Sequence, residues 1–207
     1  GYLHYEAGRA LTLSAQGGEQ GGAPVAQNAT PLAYFGLFED VTRLSPDEVA
    51  AWLPDAASAW VGAPRPRIGR ADYLQQVETL LEYINAGDIY QANYTFGADV
   101  PFAGPPLAVY ARLRQTAKAG YGAFIWTGSQ AIASLSPELF FTLRDGQVMA
   151  RPMKGTAARQ SDAAADAAAA RQLASDPKQR AENLMIVDLI RNDLSRVAEA
   201  GSVKVPD

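Results

Sequence analysis

The stretch from Tyr121 to Ala150 restricts the possible folds more than any other part of the chain. Three runs rich in branched and aromatic residues, "YGAFIWTG", "QAIASLS" and "ELFFTLRDGQVMA", follow one another with only short turn-forming breaks. Parallel strands need a crossover of a dozen or more residues, so runs this close are hairpin-spaced and antiparallel. Asp145-Gly146 inside the last run is a two-residue hairpin signal, because both turn positions need a positive φ. Helix-like segments lie on either side in sequence. The expectation is an α+β protein, with antiparallel sheets and covering helices rather than a parallel doubly wound sheet.

The helices announce themselves by period and punctuation. Tyr73, Leu74, Val77, Leu80, Leu81 and Ile84 recur at three- and four-residue spacing, which predicts a helix from about Arg70 to Ala86 stopped by Gly87. A second is expected from Pro106 to Ala117, with the proline in its first turn. The alanine-rich "SDAAADAAAARQLAS" reads as a surface helix. A last helix starts at "DPKQRAENL", where Asp176 can cap and Pro177 can take the first helical position. Its "MIVDLIRND" run is apolar nearly all round, which predicts burial.

Towards the amino end, "GYLHYEAG" and "LAYFGLFEDV" (Leu32 to Val41) read as strands. The segment 15–30 between them has the composition of a flexible insertion. "DIYQANYTFGADVPF" is strand-like with loose alternation, and "GSVKVPD" carries a strand signal. No internal repeat is evident. Both ends read as cut, which predicts a portion of a longer protein.

Bulk properties exclude several classes. A net charge of −4 is wrong for a nucleic-acid binder, and no apolar run approaches a membrane span. With no cysteine, there are no disulfides, thiolate nucleophiles or thiolate metal sites, as suits a reducing cytoplasm. The one histidine, His4, leaves little material for zinc or Ser-His-Asp chemistry and reads as a packed strand residue. At 207 residues and 48% hydrophobic, the chain is long enough for a sizeable core.

Against this background a few polar residues stand out. Lys154 sits in the turn-like "ARPMKGTAAR", directly after a strand, where charged loop residues often carry chemistry. Glu138, in "SLSPELFF", begins the strand whose hairpin return would bring it near Lys154. Glu182 lies in the last helix, where a buried carboxylate would need a cation, a proton or a partner. Asp188 and Arg191, three apart on that helix, are expected to pair with each other. Gln91 is a strand amide. A carboxylate and an amine in one cleft suit proton transfer or amine attack, and a glutamate without histidine or cysteine suits magnesium rather than zinc. Taken singly, each of these residues also reads as an ordinary solvated side chain.

At these positions the sequence resembles the chorismate-utilising enzymes, which include anthranilate synthase component I, isochorismate synthase, salicylate synthase and aminodeoxychorismate synthase component I. The resemblance runs from about Ile68 to the end, through "GDIYQANYT", "SPELFF", "RPMKGTAAR" and "AENLMIVDLIRNDLSRV". Four motifs in order are far more specific than any one of them. "GYLHYEAG" and "PLAYFGLFED" look like the preceding part of the same domain in members fused to an aminodeoxychorismate lyase. Residues 1–207 would then be a partial chorismate-binding domain of the anthranilate synthase component I-like fold.

The resemblance also implies roles. In water-adding members the position of Gln91 is a lysine that activates the water; glutamine cannot do so, which points to an ammonia-using member. Anthranilate synthases carry "P-I-A-G-T" where this chain has "PMKGT", and lysine there marks the aminodeoxychorismate synthases. Lys154 would attack C2 of chorismate as the C4 hydroxyl leaves, and ammonia would then enter at C4. Glu138 would be the general acid or base, Glu182 would bind Mg²⁺, and Gln91, Gly155 and Thr156 would contact or shape the substrate site. The implied product is 4-amino-4-deoxychorismate, on the route to para-aminobenzoate and folate. A glutamine amidotransferase partner would supply the ammonia in the cytoplasm. Members of the family are longer and carry a second magnesium glutamate and glycine-rich substrate segments beyond the matched motifs, so the chain alone is expected to be inactive. The alternatives are anthranilate synthase component I, which Lys154 disfavours, and a truncated non-catalytic binding module.

Overall fold

The structure is a computed structural model and describes residues 1–8 and 31–206. The expected insertion at 15–30 lies outside the described residues, as does Asp207. Two compact units divide the chain: Gly1–Ala111 with Ile125–Ala131, and Arg112–Phe124 with Ile132–Asp207.

In the first unit β1 (Tyr2–Leu3) pairs antiparallel with β2 (Ala33–Tyr34), and the rings of Tyr2 and Tyr34 stack at 5.8 Å. Helix α1 (Pro46–Trp52) opens on a reciprocal cap: Ser45 N–H donates to Glu48 Oε2 at 2.7 Å, and Glu48 N–H donates to Ser45 Oγ at 3.3 Å. β3 (Trp60–Val61) pairs with β6 (Phe102–Ala103), and β4 (Arg65–Pro66) with β5 (Ala98–Asp99). The second pair is clamped by Arg67, whose Nε donates to Asp99 Oδ1 at 2.8 Å. Helix α2 (Arg70–Ala86) ends at Gly87, whose φ of 83° is the left-handed stop that only glycine adopts cheaply. Helix α3 is Pro106–Ala117, with Ala108, Tyr110 and Ala111 buried.

The second unit holds the residues singled out above, Gln91 excepted. β7 (Tyr121–Trp126) and β8 (Ala131–Ser136), whose turn 125–131 is counted with the first unit, pair with Thr127 N–H donating to Gln130 O at 3.0 Å. β9 (Leu139–Arg144) and β10 (Gln147–Arg151) form an antiparallel hairpin in the register Gln147–Arg144, Val148–Leu143, Met149–Thr142. Its turn is Asp145-Gly146, with φ of 49° and 76°, as the dipeptide required. A register shift between Met149 and Arg151 then brings Arg151 opposite Leu139. Helix α4 (Ala163–Ser175) and helix α5 (Pro177–Ser195) pack together and share Asp176 between them. Asp176 N–H bonds Gln172 O at 2.9 Å to finish α4, and its Oδ1 accepts Gln179 N–H at 2.8 Å to start α5. A cap of this kind contributes about 1 kcal/mol.

The fold is α+β, but several expectations need correcting. The described strands make separate two-stranded ladders rather than one sheet. Of the strands read in 1–8 and 32–41, only the pairs Tyr2–Leu3 and Ala33–Tyr34 are extended in ladders, and "GSVKVP" forms none. His4 lies past the end of β1, exposed, with Nδ1 against the Glu6 carboxylate instead of packed. Gln91 is not in a strand: residues 89–97 are irregular, and Tyr94 and Phe96 pack their rings on Tyr73 of α2 at 5.4 and 5.5 Å. Strand formation depends on a partner that a local pattern does not supply.

Nor is α5 buried. Leu184 and Leu189 are 63% and 55% exposed, and α4 packs on only part of α5. Across the described residues the buried apolar side chains are Ala7, Ala59, Ala108, Tyr110 and Ala111, while Trp52, Trp126, Phe140 and Phe141 are exposed. The sizeable core that the composition allows is therefore not assembled by these ladders and helices.

Candidate active site

The hairpin β9–β10 brings Glu138 against the backbone of the loop that carries Lys154, in the way its register demands. Glu138 precedes β9 and the Lys154 segment follows β10, so the two lie at the same open end. Ser136 fixes the approach: its Oγ donates to Glu138 O at 2.9 Å and accepts Glu138 N–H at 3.2 Å. Glu138 Oε1 in turn accepts the backbone N–H of Met153 at 3.0 Å, one residue before Lys154. One carboxylate oxygen is thus held by the loop. Oε2 has no hydrogen-bond partner among the described residues.

Lys154 is half-buried and lines a groove of about 710 Å³. The other walls come from α4 (Ala170, Leu173, Ala174), from Val205, and from a stripe of α5 that includes Gln179, Arg180, Asn183 and Val187. Lys154 makes no ion pair or hydrogen bond among the described residues, so its amine is available to the groove.

Gly155 sets the turn that aims the lysine. Its φ is +81°, and a β-carbon there would lie 2.6 Å from Gln179 Oε1. The backbone conformation disfavours a side chain here, and the Gln179 amide would have to shift to admit one. Downstream, Thr156 is exposed, and the loop is anchored again at Arg159, whose Nε reaches Asp166 Oδ1 and Oδ2 at 2.9 and 3.0 Å. Asp166 Oδ1 also accepts Gln160 N–H at 2.9 Å. The Arg159 guanidinium, and then this N–H, hold the Asp166 carboxyl below the usual carboxylate range.

Glu182 lies on α5, its side chain 34% exposed, with Lys178 Nζ at 4.0 Å one turn back. Neither Glu138 nor Glu182 lines the groove of Lys154. Asp188 and Arg191 pair at 3.0 Å, as their spacing implied. Gln91 is exposed in the first unit. The sequence reading missed Gln179, Arg180 and Asn183. Polar residues at positions 179 and 183, four apart on one helix, were the available signal, but only the fold turns that stripe towards Lys154.

Comparison with known proteins turns this geometry into a family assignment. The family described as chorismate binding enzyme matches residues 1–207. The chain belongs to that family. This chorismate-binding chain is 41% identical over 172 residues to aminodeoxychorismate synthase component 1 of Klebsiella aerogenes, covering 78% of the chain and 37% of the relative. It is 38% identical over 137 residues to anthranilate synthase component 1 of Bacillus pumilus, covering 66% of the chain and 27% of the relative. Among solved structures it is similar to anthranilate synthase component I from Streptococcus pneumoniae TIGR4, with a TM-score of 0.56 and 31% identity. That match covers 74% of the chorismate-binding chain and 32% of the solved one. The chain therefore spans about a third of the length of the relatives it matches. No described helix of it is long and apolar enough to cross a membrane.

Proposed function

We propose that residues 1–207 are a partial chorismate-binding domain of an aminodeoxychorismate synthase component I, which aminates chorismate at C4 with ammonia from a glutamine amidotransferase subunit. The observation that carries this reading is Lys154: an unpaired, half-buried amine lining a groove, on a turn tied to the Glu138 carboxylate through Met153 N–H. An anthranilate synthase would need no amine at this point.

In the reaction, the neutral Lys154 amine forms a bond to C2 of chorismate, both ring double bonds shift by one position, and the C4–O bond breaks. Glu138, protonated on Oε2, gives its proton to the departing hydroxyl, which leaves as water. Ammonia then bonds to C4, both double bonds shift back, and the Lys154 nitrogen leaves C2. A proton returns to Glu138 from the ammonium formed at C4. Loss of water and gain of ammonia balance the sequence without a redox step.

Mg²⁺ is the cofactor this chemistry calls for, since it neutralises substrate carboxylates when bound. Glu182 fits as one of its oxygen ligands: it is partly exposed and its one nearby cation is at the 4.0 Å limit of an ion pair. The described residues hold no cluster of three or more His, Cys, Asp or Glu side chains. One carboxylate suits Mg²⁺ all the same, because that ion keeps several waters and takes one or two carboxylates. Gln91 and Thr156 are proposed as substrate contacts on the same family reasoning. Para-aminobenzoate and folate synthesis in the cytoplasm, and a fused lyase, follow as the wider setting of the proposal.

The test uses the longer protein that contains this chain, with chorismate, ammonia and Mg²⁺. Aminodeoxychorismate is the expected product. Lys154→Ala should cut its formation by at least about a hundredfold, the scale of losing a positioned reacting group, with any residual amination moving to C2. Anthranilate as the main product of the unaltered protein, or full aminodeoxychorismate formation by the alanine variant, refutes the assignment.

A further inference from the structure

The groove beside Lys154 has a charge character that runs against the rest of the chain. The protein carries a net charge of −4, yet none of the groove's lining residues is acidic. Its polar lining consists of Lys154, Arg180, Gln179 and Asn183, and the remainder is apolar. Neither Lys154 nor Arg180 has an ion-pair partner among the described residues. The nearest acids in sequence do not line the groove: Asp176 accepts Gln179 N–H at 2.8 Å, and Glu182 lies 4.0 Å from Lys178.

An unneutralised guanidinium in a concave site raises the local concentration of anions. Arg180 and Gln179 also stand in the first turn of α5, where the helix dipole adds positive potential. The apolar walls suit a carbon ring, the two amides suit hydroxyl or carboxylate oxygens, and a guanidinium matches a carboxylate in two-pronged geometry. Lys154 cannot serve as both the attacking amine and the permanent counter-ion, because attack requires it to be neutral. With Lys154 neutral, Arg180 is the remaining cation among the groove's lining residues, and it can act beside any charge that Mg²⁺ supplies.

We propose that Arg180 binds a carboxylate of the ring substrate in the groove that Lys154 also lines, and so determines specificity for carboxylated substrates. This inference rests on the function proposed above. It adds a binding residue that the sequence motifs did not single out.

The test is steady-state kinetics of Arg180→Ala, Arg180→Gln and Arg180→Lys in the longer protein, with Lys154→Ala alongside. Loss of a charge-assisted carboxylate contact is worth roughly 10- to 100-fold in binding. KM for chorismate should rise by about that factor in the alanine and glutamine variants, with kcat changed less than about threefold. Arg180→Lys should recover part of the loss, and raising the salt concentration should weaken the unaltered protein more than the glutamine variant. Should Arg180→Ala fail to fold, the glutamine and lysine pair decides the matter. An unchanged KM in Arg180→Gln, or a loss confined to kcat, overturns the role of Arg180. If Lys154→Ala abolishes aminodeoxychorismate formation in the same experiment, the proposed function survives that failure. If Lys154→Ala is without effect, the function falls and takes this inference with it.

Discussion

Replacing Gly155 with alanine probes how strictly the turn aims Lys154. Two costs arise at this position. A residue with a β-carbon held at φ +81° is strained by about 1–2 kcal/mol. The new methyl would also sit 2.6 Å from Gln179 Oε1, and turning that side chain out of its rotamer costs about 0.5–1.5 kcal/mol. Together they amount to roughly 1.5–3.5 kcal/mol, and the loop can shed most of this by displacing Lys154. At about 1.4 kcal/mol per factor of ten, kcat should fall roughly 10- to 300-fold, with little change in KM. The assay is aminodeoxychorismate formation by the longer protein, at saturating and limiting chorismate. Truncating the opposing side chain separates the two costs. In a Gln179→Ala background the collision is removed and the φ strain remains, so Gly155→Ala should cost up to about tenfold less there, a coupling a double-mutant cycle reads directly. A kcat within twofold of the unaltered protein, or an equal loss in both backgrounds, would refute the reasoning.

Other consequences follow from the same contacts. Glu138→Gln keeps an oxygen for Met153 N–H but removes the exchangeable proton, so kcat should drop by about 10²–10⁴ while the thermal midpoint hardly moves; a matching loss of stability would show that the carboxylate is only structural. Asp176→Ala removes the side-chain acceptor that starts α5 and should destabilise the protein by about 1 kcal/mol, measured by denaturant unfolding, whereas Asp176→Asn should cost much less. The Asp166 carboxyl, depressed by Arg159, stabilises the folded loop fully above the usual carboxylate range and loses that contribution as pH falls through its lowered folded value. Protection of the 159–166 segment from hydrogen exchange should therefore fall at acid pH, and Asp166→Asn should flatten that dependence.

Local chemistry by itself determined the helices and the main hairpin. Pro106, the Asp176-Pro177 pair and Gly87 mark helix ends through capping and backbone limits that act within a few residues, and α2, α3 and α5 occur where those signals place them. Asp145-Gly146 dictated its turn in the same way. The Ser45–Glu48 capping box shows that α1, which the reading passed over, was equally legible. Extended segments behave differently because a strand exists only where another chain segment bonds to it. Residues 89–97, rich in strand formers, stay irregular and stack on Tyr73 instead. The candidate site divides along the same line. Lys154, Glu138 and Glu182 were visible as residue types in specific motifs. That Glu138 would hold Met153 N–H, that Gln179 would press against Gly155, and that Arg180 would line the lysine's groove depended on the hairpin register and the packing of α4 on α5. Those are distances between residues far apart in sequence, which no local pattern encodes.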